Sequence, residues 1–378
     1  MSGVTGSSAR PRTSDSLSER DIEAALGRRL EAGERFFEAE AGRIARLCRQ
    51  MSERFAAEGR LFAVGGSAQA WSDAHHVAVE FVHPVIVGKR ALPALAVQAT
   101  ELELLRRPHD LVSSFEPFTV AADAEWVFEP PTEDPFVRQE LVETLYHVLW
   151  ELVHVFFEHG AGSTAGAGAS AFLYPFLEQS DTGMDEVEQD VARSVVMKAV
   201  EVGELRRQTL REASEALATA AGALRRSFDA GGKVLAFGNG GSATDAMDLV
   251  ADLTAAPQGW PSRAAINLSG DAAILTALAN DIGPGALFQR QVIAYGAPGD
   301  TVVALSTSGN SQNVIEALVE ARKRHLATVA FVGYDGGRVA AEGLADHVIV
   351  TRSEHIPRIQ EAQASAYHVL RELVEAPE

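Results

Sequence analysis

Cysteine is almost absent: Cys48 is the only one in 378 residues. A single thiol can neither staple a fold nor build a thiolate metal centre, so a reducing, cytoplasmic setting is expected. Basic residues are also short, 33 Lys and Arg against 52 Asp and Glu, for a net charge of −19. That excess argues against partners that need a basic surface, so no nucleic acid and no membrane are expected. A small anion is still allowed, because backbone amides and hydroxyls can hold it locally. No run approaches the roughly 18 apolar residues of a membrane helix, and the opening Met1-Ser-Gly-Val-Thr-Gly-Ser-Ser8 lacks a basic stretch followed by an apolar one. Neither a Gly-x-x-x-x-Gly-Lys loop nor a Gly-x-Gly-x-x-Gly with a following acid occurs, which leaves no nucleotide cofactor to expect. What remains is 46% hydrophobic and 22% charged residues, the balance of a globular chain long enough for two domains.

Residues 1–16 have little to bury and read as a tail. Helical periodicity runs from Leu17 to Glu58, followed by a strand at Leu61–Val64, a Gly-Gly-Ser turn and another helix. A short strand near Glu125–Phe128 precedes a helix over Val137–Phe157. The segment 159–184 is rich in Gly, Ala and Ser and reads as a linker and lead-in. Helix is expected again from Glu186 to Ala230. Strand-like runs at Val234–Phe237, Ala264–Leu268, Thr301–Leu305, Thr328–Val332 and His347–Val350 then alternate with helices, and a last helix covers Arg358–Val374. Such alternation predicts an α/β fold with a parallel, doubly wound sheet.

The halves 17–158 and 185–378 look like copies. Leu61-Phe-Ala-Val-Gly-Gly-Ser67 echoes Val234-Leu-Ala-Phe-Gly-Asn-Gly-Gly-Ser242, and Gln139–Val153 aligns with Gln360–Val374 at nine identical positions of fifteen, without a gap. The first copy is shorter by about 49 residues: 63 positions separate His76 from Gln139, against 112 between Asp248 and Gln360. The missing part is expected to be the middle of the sheet.

In the second copy a strand runs into Gly238-Asn-Gly-Gly-Ser242 and then a helix, a turn whose free N–H groups and helix dipole suit an oxyanion. A second strand ends in Ser306-Thr-Ser-Gly-Asn-Ser311, a nest of hydroxyls suited to a phosphate. Two such turns at strand C-termini of one sheet mark where open α/β sheets bind ligands. These residues, with Ala243-Thr-Asp-Ala-Met247 and Arg358-Ile-Gln-Glu361, resemble bacterial phosphoheptose isomerases, which are sugar isomerase (SIS) domain proteins. The likeness covers about 185–376, and more faintly 17–157.

The resemblance implies tandem SIS-type three-layer αβα lobes, flavodoxin-like, with parallel sheets and packing helices. It also implies an aldose–ketose isomerisation of sedoheptulose 7-phosphate to a heptose 7-phosphate, with zinc as the metal such sites often bind. The family's site pairs a His and a Glu four apart with a Gln and a His eight apart. His76, Glu80, Gln139 and His147 match in the first copy; Gln360 and His368 match in the second, where Asp248 and Asp252 replace the His and Glu. Each copy lacks what the other keeps, so one site between the lobes is expected. Eight residues of helix rise ~12 Å, too far for one ion, and assembly from two copies removes that strain. Glu80 is expected as base and His147 or His368 as acid. Asn239, Gly240, Gly241, Ser242, Ser306, Thr307, Ser308, Ser311, Gln360 and Asp271 would bind substrate and phosphate, with Asn280 and Asp281 as weaker sugar contacts. A metal would sit on His76, Glu80, Gln139 and His147, with Gln360 or His368 as replacements for the last two. Asp248 and Asp252 are expected to be solvated, as is the charged face of Glu201–Glu212; His75 and His83 are expected to be packed or solvated residues rather than ligands, and Trp71, Trp126, Trp150 and Trp260 need only packing. The partner is a phosphorylated sugar, and the chain is expected to pair into a homodimer forming a pseudo-tetramer. Rival readings are a non-catalytic sugar-phosphate sensor, a protein-binding module and a subunit that supports a separate isomerase.

Overall fold

A computed structural model describes residues 15–84, 89–121, 125–160 and 183–376. The expected tail, up to residue 14, and most of the expected linker, 161–182, lie outside the described residues.

The first half runs α1 (Asp15–Ala56), β1 (Leu61–Val64), α2 (Ala68–Val82), β2 (Ala94–Val97), α3 (Ala99–Leu105), β3 (Leu111–Phe115), β4 (Phe118–Ala121), β5 (Glu125–Phe128) and α4 (Pro135–Gly160). The second runs α5 (Met184–Glu212), α6 (Ser214–Asp229), β6 (Val234–Phe237), α7 (Gly241–Thr254), β7 (Ala265–Asn267), α8 (Ala272–Asp281), α9 (Gln289–Tyr295), β8 (Thr301–Ser306), α10 (Gln312–Lys323), β9 (Ala327–Gly333), α11 (Gly337–Ala341), β10 (His347–Thr351) and α12 (Ile356–Glu375). The helix expected over 186–230 is two, broken at Ala213.

Two five-stranded sheets have matching orders, β2-β1-β3-β4-β5 and β7-β6-β8-β9-β10. The second is wholly parallel. In the first, β1 pairs in parallel with β2 and β3, but β3-β4-β5 form an antiparallel meander. The residues missing from the first copy are therefore not the middle of its sheet. The strand count is kept, and hairpins replace the helical crossovers that parallel strands require.

The second sheet buries both faces. Val234, Ala236, Val303 and Leu305 point into one core with α6, α7 and α12, and Leu235, Phe237, Val302 and Ala304 into another with α9 and α10. This period-2 alternation makes three layers. The first lobe packs one main core between its sheet, α1, α2 and α4; α3, on its outer side, buries none of its residues.

Two long helices hold the lobes together. Ile22, Ala25 and Leu26 at the start of α1 join the second lobe's core, while Phe36, Phe37, Ile44 and Leu47 further along join the first lobe's. Helix α5 crosses the other way, with Val187, Val191 and Val195 in the first core and Leu210 in the second. The buried guanidinium of Arg29 on α1 completes the tie, bonding Glu140 of α4 at 2.9 Å and Glu372 of α12 at 2.8 Å.

Candidate functional site

The seam brings α2 and α4 of the first lobe against α7 and α12 of the second. Ser67 caps α2 by accepting from the Ala70 N–H at 3.1 Å, and Asp134 caps α4 through the N–H groups of Phe136 and Val137. Those caps fix the faces on which His76, Glu80 and His147 lie, all buried.

The His76 and His147 Nε2 atoms stand 3.2 Å apart. Gln360 Nε2, from the opposite lobe, is 3.3 Å from His76 Nε2, and Glu80 Oε1 is 4.0 Å from it. His147 Nδ1 lies 3.0 Å from the Glu361 carboxylate. A carboxylate only accepts, so Glu361 keeps a proton on His147 Nδ1 and turns Nε2 towards His76. His76 Nδ1 is engaged by the Tyr146 hydroxyl at 3.0 Å and lies 3.6 Å from Asp245. Burial, then the neighbouring His147, holds His76 well below the ordinary imidazole range, so it is neutral. Burial pushes Glu80 up to about 7, against the opposing pull of His147, and its Oε2 is buried without a hydrogen-bond partner.

The glycine turn of the second lobe reaches this cluster. Gly240 takes φ +58°, a left-handed conformation natural to glycine. The next residue, Gly241, starts α7 so close that a Cβ there would overlap Gln360 Nε2 and sit 3.1 Å from His76 Nε2. Asn239 and Asn313 exchange amide hydrogen bonds at 3.0 and 2.8 Å, tying the glycine turn to the helix after the hydroxyl turn. Within the hydroxyl turn Ser306 accepts from Gly309 N–H and Ser308 from Asn310 N–H, both at 3.2 Å. Thr307, Ser308 and Ser311 are half-buried and Ser242 is buried. Asp271 caps α8 through Ile274 N–H and is exposed, and Asn280 bonds Asp281 at the exposed end of that helix.

Gln139 and His368 lie elsewhere. They form a second cluster, related to the first by the duplication, with Asp248 and Asp252. His368 Nδ1 lies 3.0 Å from Glu140 and its Nε2 3.0 Å from Asp252. Gln139 and the Tyr367 hydroxyl (2.8 Å) both donate to Asp248. Although burial opposes it, bonding to Asp248, Asp252 and Glu140 raises His368 well above the ordinary range, making it an imidazolium with both N–H groups spent on carboxylates. Asp248 and Asp252 are therefore buried and bonded, contrary to the expectation of solvated side chains. The charged face of 201–212 is likewise only partly solvated, since Arg206 is buried and donates to Ser365 at 2.8 Å.

The first cluster fits a borderline cation; the second is closed by its own ion pairs. Two imidazole nitrogens 3.2 Å apart, with the Glu80 carboxylate 4.0 Å from one of them, meet in the first, and imidazole and carboxylate are ligands zinc accepts. Ligand atoms of His76, His147 and Glu143 also lie within 4.8 Å of one another. Glu143, Tyr146, Asp245 and Glu361 were not anticipated as parts of the site. Tyr146, in the Tyr-His pair shared by the copies, and Glu361, beside Gln360, carried a signal in the repeat and the Arg-Ile-Gln-Glu motif.

Residues 199–333 match the SIS domain family model. The chain is 40% identical over 188 residues to a phosphoheptose isomerase of Thermodesulfovibrio yellowstonii, half of this chain and 91% of that protein. It is 44% identical over 176 residues to one from Pelodictyon phaeoclathratiforme, 46% of this chain and 82% of that protein. Over nearly its whole length it shares its fold with the C-terminal domain of glucosamine-fructose-6-phosphate aminotransferase from Francisella tularensis: TM-score 0.56, 10% identity, 94% of each chain covered. Among the described residues no helix is long and apolar enough to cross a membrane.

Proposed function

The chain belongs to the phosphoheptose isomerase family, and from that premise we propose that it is a phosphosugar aldose–ketose isomerase working at one site on the seam, with sedoheptulose 7-phosphate as substrate. The observation that carries this reading is the approach of Gly241, in the anion-binding turn of one lobe, to His76 of the other and to Gln360. It joins the two half-sets that the copies divide between them.

The phosphate sits in the glycine and hydroxyl turns, on Gly240, Gly241, Ser242, Ser306, Thr307, Ser308 and Ser311, with Asn239 beside it. Neutral donors and a helix N-terminus hold it despite the net negative chain. Glu80 is the base. Its carboxylate takes the proton from C1 of the ketose as His147, protonated on Nε2 as well, delivers that proton to the C2 oxygen, giving an enediol. The carboxyl then returns its proton to C2 while the C1 hydroxyl gives its own back to His147, which restores the acid and leaves an aldehyde at C1. A group with a pKa near 7 is suited to both halves of that exchange. Glu361, holding His147 Nδ1, fixes which nitrogen faces the substrate. His76 and Gln360, with the second oxygen of Glu80, would hold zinc, which when bound supplies Lewis-acid stabilisation of negative charge on the sugar oxygens, and His147 Nε2 is left for the proton.

Incubating the purified protein with sedoheptulose 7-phosphate, with and without zinc, and following the anomeric region by NMR tests the proposal. The expected result is an aldose product. Glu80→Gln should cut turnover by about 10²–10⁴-fold while phosphosugar binding persists. Binding without turnover in the wild type would favour the sensor reading instead.

A further inference from the structure

The duplication that made one site left a second cleft at the matching place on the seam. It has a volume of about 450 Å³ and is lined by Gln69, Asp73, Phe115, Glu116, Arg138 and Gln139 of the first lobe, with Ala255 and Pro257 of the second at its lip. That size is within the range of small-molecule sites.

The phosphate seat there has been filled. In the strand registers Val64 stands beside Ser114 and Phe237 beside Ala304, which puts Glu116 where the second lobe has Ser306. The Glu116 carboxylate accepts from Ser67 Oγ at the N-terminus of α2, so an internal anion occupies the place a phosphate would take. Gln69 reaches across the seam to Asp252 Oδ1 (3.3 Å) and the Ala255 carbonyl (3.0 Å), filling space that Gly241 leaves open in the first cluster. The reactive set is absent as well, because His368 is locked between carboxylates.

What the cleft keeps is hydrogen-bonding capacity without an anion seat: two amide oxygens, carboxyl groups and one guanidinium over walls of Phe115 and Val142. Amides and carboxyl groups each meet hydroxyls as donor, acceptor or both, whereas the carboxylates oppose a phosphate. We propose that this cleft is a second ligand site, for an unphosphorylated polyhydroxylated molecule such as a free sugar or an alditol. Its floor touches the first cluster, since Asp73 stands three residues before His76 on the same helix, and His76 Nδ1 meets the Tyr146 hydroxyl at 3.0 Å. The proposal stands apart from the isomerase reading and can fail without it.

Saturation-transfer NMR on the full chain with galactitol and with free sedoheptulose tests it, using inorganic phosphate as competitor. The expected result is saturable transfer in the wild type that phosphate does not displace. Ala255→Trp, on the exposed lip, should abolish the transfer, and Gln69→Leu should weaken it severalfold; neither residue belongs to the first cluster. A melting temperature equal to wild type certifies each variant, and if Ala255→Trp fails to fold, Gln69→Leu decides. No saturable transfer in the wild type would overturn the proposal. So would transfer that survives the folded variants or that phosphate competes away, which would place the sugar in the phosphate-bearing site.

Discussion

At Gly241 one hydrogen atom separates a working approach from a blocked one. A methyl group there would overlap Gln360 Nε2, the far end of a flexible side chain, and crowd His76. The side chain can swing away where backbone could not, so Gly241→Ala should fold, with a melting temperature within about 3 °C of wild type. Displacing Gln360 and pressing on His76 should lower the affinity for the proposed zinc, and the proposed turnover, by about tenfold or more, as loss of a positioned ligand does. Calorimetry and a zinc titration of the variant check both halves; a variant that melts early but keeps its zinc affinity would contradict the geometry. Residue types were readable here before their positions were. The sequence placed His76 with Glu80 on one helix face and singled out the glycine turn, because both are local patterns. That Gln360 rather than Gln139 meets His76 depends on how two helices cross the seam, which no spacing along one chain encodes. Asp248 and Asp252 were misjudged for a related reason: two aspartates on a helix look solvated until Tyr367, Gln139 and His368 arrive from other elements to satisfy them.

Between helices, the charged tie under the first cluster sets an acid limit on stability. Glu151 of α4 is buried, accepts from Arg358 of α12 at 3.0 Å and pairs with Lys198 of α5. Burial alone would raise its pKa, but Arg358 and Lys198 outweigh it and hold the carboxyl near 2 against an ordinary 4.5. The folded state therefore prefers the carboxylate, and the unfolded chain binds the extra proton first. The stabilisation is complete above about pH 4.5 and is lost as pH falls towards 2, on the order of 3 kcal/mol in all. Urea unfolding across that range should show the loss in the wild type. In Glu151→Gln the curve should start lower at neutral pH, by a similar amount, and approach the wild type near pH 2; parallel curves would refute the assignment. The elements of the second lobe were legible because its buried strands read as apolar runs between glycine turns. The hairpins β3-β4-β5 were not, since only Glu125–Phe128 of the meander declared itself. A deletion of about 49 residues does not say in the sequence whether it removed strands or the crossovers between them.

As a whole, the molecule packs two lobes of matching strand order into one chain. Helices α1 and α5 each enter both cores, so the lobes cannot part without exposing Ile22, Leu26, Val187 and Val191. The duplicated sequence announced two lobes; the mutual insertion of those helices was hidden, because an amphipathic helix does not say whose core its two ends enter. A site built on this seam belongs to a single chain, and mixing experiments separate that arrangement from one assembled between chains. Glu80→Gln disables the first lobe's contribution and Gly241→Leu the second's. If chains shared sites, equal mixing after unfolding and refolding together would create pairs with one intact site and restore roughly a quarter of wild-type turnover. With both contributions on one seam, every site in the mixture carries one defect or the other. Activity should then follow the mean of the two variants weighted by the mixing ratio. Recovery above that mean would mean that the seam between His76 and Gly241 is not where catalysis occurs, whatever the oligomeric state of the refolded chains.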